Sequence, residues 1–217
     1  MKSLHPLYTK LRLLALCPLA AVLCSCAATT IKKTWKSPEH RDAPFARLAV
    51  LVIEERGFLR QGFENRFVAQ LQNDGATGYT TFNLLSLPEI NQDKAAAVER
   101  LKTVGAQAVI VMRLMDISTI YHETRPGSEQ YADVVNGFEM GTWYNYWTVA
   151  YQDMSPTFGN MKQKIFLETS IFDLKTAKRT WSGLSQTTIP ESMDRVAEMD
   201  EIVAKFLTAM RRDGMIL

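Results

Sequence analysis

Arg47-Leu48-Ala49-Val50-Leu51-Val52-Ile53 is a continuous apolar run behind a single arginine. No polar residue alternates through it, so it reads as a strand covered on both faces. Downstream, Leu59, Phe63, Phe67 and Leu71 recur at steps of four, which sets them on one helix face, and Asn73-Asp74-Gly75 supplies a stop. Tyr79 to Phe82 is short and rich in Thr and aromatics, as a strand would be. Asn91 is placed to cap a second helix carrying Val98, Leu101 and Val104, closed by Gly105. Ala108-Val109-Ile110-Val111-Met112 is a second doubly buried strand. The order β-α-β-α-β predicts parallel pairing with right-handed crossovers.

Further along, Lys164 to Asp173 and Arg179 to Ile189 have strand character, and the polar link Leu174 to Lys178 is short enough for an antiparallel hairpin. Pro190 is positioned to open a last helix, on which Val196, Met199, Val203, Phe206 and Met210 form one stripe. Arg211 and Arg212 lie near its negative end and Gly214 closes it. Trp181 falls mid-strand and is expected in the core with its N–H partnered. The expected fold is α/β: a mixed sheet in two or three layers, β-α-β-α-β followed by the hairpin and a C-terminal helix, with an insertion at 119–161.

Upstream of this domain, Lys2, Lys10 and Arg12 precede an apolar stretch from Leu13 to Leu23. Charge first, a short greasy core second and small residues last is the layout of an export signal. The core is shorter than the about 20 residues that span a bilayer, and it contains Pro18. Leu23-Cys24-Ser25-Cys26 resembles the lipobox of bacterial lipoproteins, in which the cysteine at the cut becomes the amino terminus and carries acyl chains. Small Ser25 precedes Cys26 whereas large Leu23 precedes Cys24, so the resemblance implies lipid attachment at Cys26. An ordinary secretory cleavage at Ala27-Ala28 is the alternative. The division that follows is 1–25 signal peptide, 26–44 lipidated tether and 45–217 a single domain. Ala27 to Pro44 is polar and mixed in charge, and as a tether it would reach at most ~60 Å. In lipoproteins of this kind the residue after the cysteine acts as a sorting label. Ala27 implies the periplasmic face of the outer membrane in a Gram-negative envelope.

The chain has 25 basic and 23 acidic side chains, a net charge of +2. Removal of residues 1–25 takes three basic residues and no acid, leaving 22 against 23 and a net charge of −1. That balance lacks the electrostatic footprint of a nucleic-acid binder. Cys17, Cys24 and Cys26 are the three cysteines, so a chain cut before Cys26 and acylated there has no thiol for a disulfide or for nucleophilic catalysis.

Together, Leu48 to Val52, Val104-Gly105-Ala106-Gln107-Ala108-Val109-Ile110, and Ile171 to Gly183 across the hairpin resemble envelope lipoproteins that share the fold of the Tol translocation protein's N-terminal domain. The curli-secretion pore lipoprotein and the activators of penicillin-binding proteins are among them. In that family the hairpin turn often reads Thr-Gly-Lys; here Ala177 stands in place of the glycine. The resemblance implies a non-enzymatic, lipid-anchored adaptor or assembly factor that binds another envelope protein. An oligomeric structural or secretion-pore component is the alternative.

Residues 119–161 hold nine of the chain's 21 Phe, Trp and Tyr residues, among them Tyr144, Tyr146, Trp147 and Tyr151. Long insertions are often functional, and Tyr and Trp give large contact areas with polar tips. These four residues are therefore expected either on a protein-docking surface or in an extra strand packed on the sheet. Catalytic chemistry finds little footing. Glu54-Glu55 are adjacent and diverge on an extended chain. Asp116 and His122 would have to converge with Glu54 to make a polar pocket. His122 has no His or Cys at ligand spacing, and no glycine-rich phosphate cradle is present, so no metal and no cofactor are expected.

Overall fold

The structure, a computed structural model, describes residues 28–115, 141–152, 164–188 and 195–217. Six strands form one mixed sheet: β1 Ala28–Lys36, β2 Arg47–Ile53, β3 Thr77–Thr80, β4 Ala108–Met115, β5 Lys164–Asp173 and β6 Arg179–Thr188, in the spatial order β1-β6-β5-β4-β2-β3. β2 pairs in parallel with both β3 and β4, and the β4-β5, β5-β6 and β6-β1 pairs are antiparallel. Among the described residues five helices cover it: α1 Gly57–Asn73, α2 Leu87–Gln92, α3 Lys94–Thr103, α4 Trp143–Gln152 and α5 Arg195–Arg212. The α/β class and the mixed sheet read from the sequence are thus present.

The layers follow from the two-residue period of β2 and β4. Leu48, Val50, Val52, Ala108, Ile110 and Met112 face α1 and α5, where Phe63, Phe67, Val203 and Phe206 close the core. Ala49, Leu51, Ile53, Val109 and Val111 face α2, α3 and α4. Both faces are dry, which is why these strands carry no polar alternation. The result is three layers, helices on either side of one sheet.

α1 sits close on the sheet at Gly78 of β3. A methyl group there would lie 2.9 Å from the Val68 Cα, a backbone atom that cannot rotate away. Gly78→Ala is expected to cost about 1–3 kcal/mol by prising α1 off the sheet, read as a lower urea midpoint. An unchanged midpoint would mean that α1 is not seated as described.

Two expectations need correction. The segment 27–44, expected as a tether, supplies β1, whose residues Ala28 to Lys36 pair with Trp181 to Thr188. An edge strand has one partner and one solvated side, so Thr and Lys suffice where a central strand needs Val and Ile. β1 therefore belongs to the folded domain, ahead of Phe45. Secondly, Asn91 does not cap the second helix. Ser86 and Glu89 form a capping box on α2, and the Asp93 side chain accepts from the Ala96 N–H to start α3. Gly105, with φ +90°, ends α3 as expected. Pro190 lies outside the described residues. Trp181 is buried, and its indole N–H donates to Asp213 Oδ2 at 2.8 Å.

Candidate functional site

α4 is held at its start by the β5-β6 turn. Ala177 takes φ +55°, the left-handed conformation that a glycine would adopt freely. Its carbonyl accepts from the Trp143 backbone N–H at 2.8 Å, and the Gly141 carbonyl accepts from Arg179 N–H at 2.8 Å. From there Trp143, Tyr146, Trp147 and Ala150 recur at i, i+3, i+4 and i+7 and point into the sheet. Trp143 and Trp147 stack with centroids 5.6 Å apart, and Phe172 meets Trp143 edge-on at 5.8 Å. The Trp143 indole N–H donates to the Lys94 carbonyl at 3.2 Å, tying α4 to α3.

This placement divides the four expected docking residues. Tyr146 and Trp147 are fully buried, so in this conformation they pack the core and offer no ring to a partner. Tyr144 lies on the opposite side of the helix and is 41% exposed. The side chain of Tyr151 lies outside the described residues, as does Cys26. The aromatic segment is helical over α4 and forms no extra strand there.

Beneath α4 lies a buried charge cluster. Register places Arg113 of β4 opposite Glu168 of β5, with Arg113 Nε 2.6 Å from Glu168 Oε2. Tyr146 Oη donates to the same oxygen at 3.3 Å, and the Arg113 guanidinium lies 5.3 Å from the Tyr146 ring centre. Arg179 of β6 brings Nη1 within 3.6 Å of Glu168 Oε1, and its guanidinium lies 5.4 Å from the ring centre of Trp35 on β1. All three charged side chains are buried. Burial lowers the Arg179 pKa below the usual arginine value, against the opposing pull of Glu168. Burial, then the negative charge of Glu168, raises the Tyr146 pKa, so the phenol stays a proton donor. The cluster links β1, β4, β5, β6 and α4 through one carboxylate.

A second polar feature sits at the carboxyl ends of β2 and β3. β2 feeds α1 on one face and β3 feeds α2 and α3 on the other, so this crevice is a topological switch point. It is a cleft of about 570 Å³ whose lining includes Glu54, Glu55, Arg60, Phe82 and Asn83. Glu54 is held by Arg56, whose Nε and Nη2 donate to its two oxygens at 2.9 Å, while Glu55 is exposed. The two adjacent carboxylates do not converge. Asp116 and His122 lie outside the described residues. Among the described residues, no three His, Cys, Asp or Glu side chains gather in a metal-binding arrangement.

Glu64 is the residue that sequence reasoning missed here. Fully buried on α1, it accepts from the backbone N–H groups of Val52 at 3.2 Å, Thr81 at 2.6 Å and Phe82 at 2.8 Å, and from Arg60 Nε at 2.9 Å. Arg60 Nη2 goes on to the Leu85 carbonyl at 2.8 Å. The pair fixes where the strands of the cleft end. Its signal was present: Arg60 and Glu64 stand four apart on the face that carries Leu59, Phe63 and Phe67.

Among the described residues the chain is thus a three-layer α/β domain with one charge cluster buried against the sheet and a second beside a cleft at one end of it. No family model and no curated protein matches the sequence. Among solved structures it is similar to the PelC dodecamer from Paraburkholderia phytofirmans, at 14% identity and a TM-score of 0.46, over 83% of this chain and 96% of that one. It is also similar to lipoprotein GNA1162 from Neisseria meningitidis, at 11% identity and a TM-score of 0.39, over 77% of this chain and 99% of that one.

Proposed function

We propose that this chain is a lipid-anchored envelope protein, held through Cys26 at the periplasmic face of the outer membrane, that works without catalysis by binding another envelope protein. The observation that carries the reading is the sequence Leu23-Cys24-Ser25-Cys26 behind a basic, then apolar, start. The geometry is consistent with a binding role. Of the polar groups described, Glu54, Glu64 and Glu168 are each engaged by an arginine and serve to fix the fold. Among the described side chains of the expected docking set, Tyr144 on α4 is the exposed one.

Incorporating a photo-crosslinking amino acid at Tyr144 tests the binding half of the proposal in cells. A discrete adduct with a different envelope protein is expected. An adduct of two copies of this chain would overturn the adaptor reading in favour of the oligomeric component. The absence of any adduct would remove Tyr144 from the docking surface.

A further inference from the structure

The first described residue of the sheet is Ala28, two residues after Cys26. Two residues of extended chain span no more than ~7 Å. If Cys26 carries the lipid, the amino end of β1 stands against the bilayer surface with no tether between them. The orientation of β1 then decides which end of the domain meets the membrane.

β1 runs antiparallel to β6, β6 to β5, and β5 to β4, while β4 and β2 are parallel. The Ala28 end of β1 therefore lies at the same end of the sheet as the carboxyl ends of β2 and β4. α1 starts at that end, directly after β2. Its second residue is Phe58, 63% exposed and the most exposed of the large hydrophobic residues described. The opposite end holds the β5-β6 turn with Lys175 and Thr176 exposed. Phe58 offers an apolar side chain at this end of the sheet, where a lipid on Cys26 would bring a bilayer.

Resting on the reading of Cys26 as the lipid site, we infer that the end of the domain formed by the amino terminus of β1 and the start of α1 lies on the membrane, with Phe58 inserted as a second, non-covalent contact. Lipid at one corner and Phe58 at the far side of the sheet give two points of attachment, which fix the tilt that a single acylated residue leaves free. The opposite end, with the β5-β6 turn, is then turned toward the periplasm. Glu55 beside Phe58 is exposed, so anionic headgroups offer no electrostatic gain and the contact depends on apolar burial.

The test uses the acylated protein purified from membranes and placed in phosphatidylethanolamine-rich vesicles. Acylation occupies the Cys26 thiol, so an introduced cysteine is the single reactive one. Gly57→Cys keeps Phe58 and has open space around the new side chain, and Lys175→Cys reports on the opposite end. Each is labelled with an environment-sensitive fluorophore. The label at position 57 should shift to the blue on vesicles and be quenched by iodide several-fold less than the label at position 175. Adding Phe58→Ser should restore quenching at position 57 while the protein still sediments with the vesicles. Sedimentation with equal quenching at the two positions would overturn the inference and leave the anchor standing. A labelled protein that stays in the supernatant would overturn the anchor, and the inference with it.

Discussion

Replacing Glu168 with alanine is expected to lower the unfolding free energy by about 3–5 kcal/mol, because it leaves two buried guanidinium groups without their carboxylate. Arg113 and Arg179 are 6% and 1% exposed in their side chains, so water cannot take over the role of Glu168. Stability of ordinary domains is about 5–15 kcal/mol, so the variant would stand near the edge of folding. Arg179→Met separates charge balance from packing. It removes the longer of the two ion pairs, at 3.6 Å, and leaves Arg113 and Glu168 matched one to one at 2.6 Å. Apolar replacement of a buried charge is often close to neutral, so a change within about 1 kcal/mol is expected. Urea unfolding of both variants reads the difference. An Arg179→Met variant as unstable as Glu168→Ala would show that Arg179 matters by shape or by its contact with Trp35, and not by charge.

The second large effect is expected at Glu64. Its buried carboxylate collects three backbone N–H groups, from the end of β2 and the residues after β3, and Arg60. Glu64→Ala strips the acceptor from all of them at once, and a loss of about 3–5 kcal/mol is expected. Glu64→Gln keeps the volume but turns an amide NH₂ toward donors. An intermediate loss of about 1–3 kcal/mol follows from leaving a buried N–H unsatisfied. The order wild type, Gln, Ala in urea midpoint is the result to look for. Glutamine indistinguishable from wild type would mean that the negative charge at position 64 is not needed. Position 64 also differs from position 168 in where damage should appear. Hydrogen exchange should quicken first at Thr81 and Phe82 in Glu64→Gln, because their N–H groups are bonded to this side chain.

The parts of the fold legible in the sequence are those in which burial is complete. β2 and β4 read as strands because both of their faces are covered, and α1 because Leu59, Phe63, Phe67 and Leu71 hold one stripe. The hairpin was legible for a different reason, since its polar link is too short for anything but an antiparallel return. β1 was not legible as a strand. Edge pairing satisfies the backbone on one side and asks little of the side chains, so a run such as Thr29-Thr30-Ile31-Lys32 carries no apolar signature.

α4 was hidden in another way. Trp143, Tyr146, Trp147 and Ala150 keep helical spacing, but aromatic residues are only moderate helix formers, and aromatics are also the currency of interfaces. Composition alone therefore favoured a surface as much as a core. The charge cluster lay beyond sequence reading altogether. Arg113, Glu168 and Arg179 come from three strands, and only the register of β4 on β5 and the bulge near Phe172 bring them to one point. By contrast, Arg60 and Glu64 were within reach, as an ion pair set into an apolar helix face.

Mass spectrometry of the protein extracted from native membranes tests the lipid anchor most directly. The amino-terminal peptide is predicted to begin at Cys26 and to carry acyl chains on that residue. A peptide that begins at Ala28 or at Met1, or a Cys26 found with a free thiol, would contradict it.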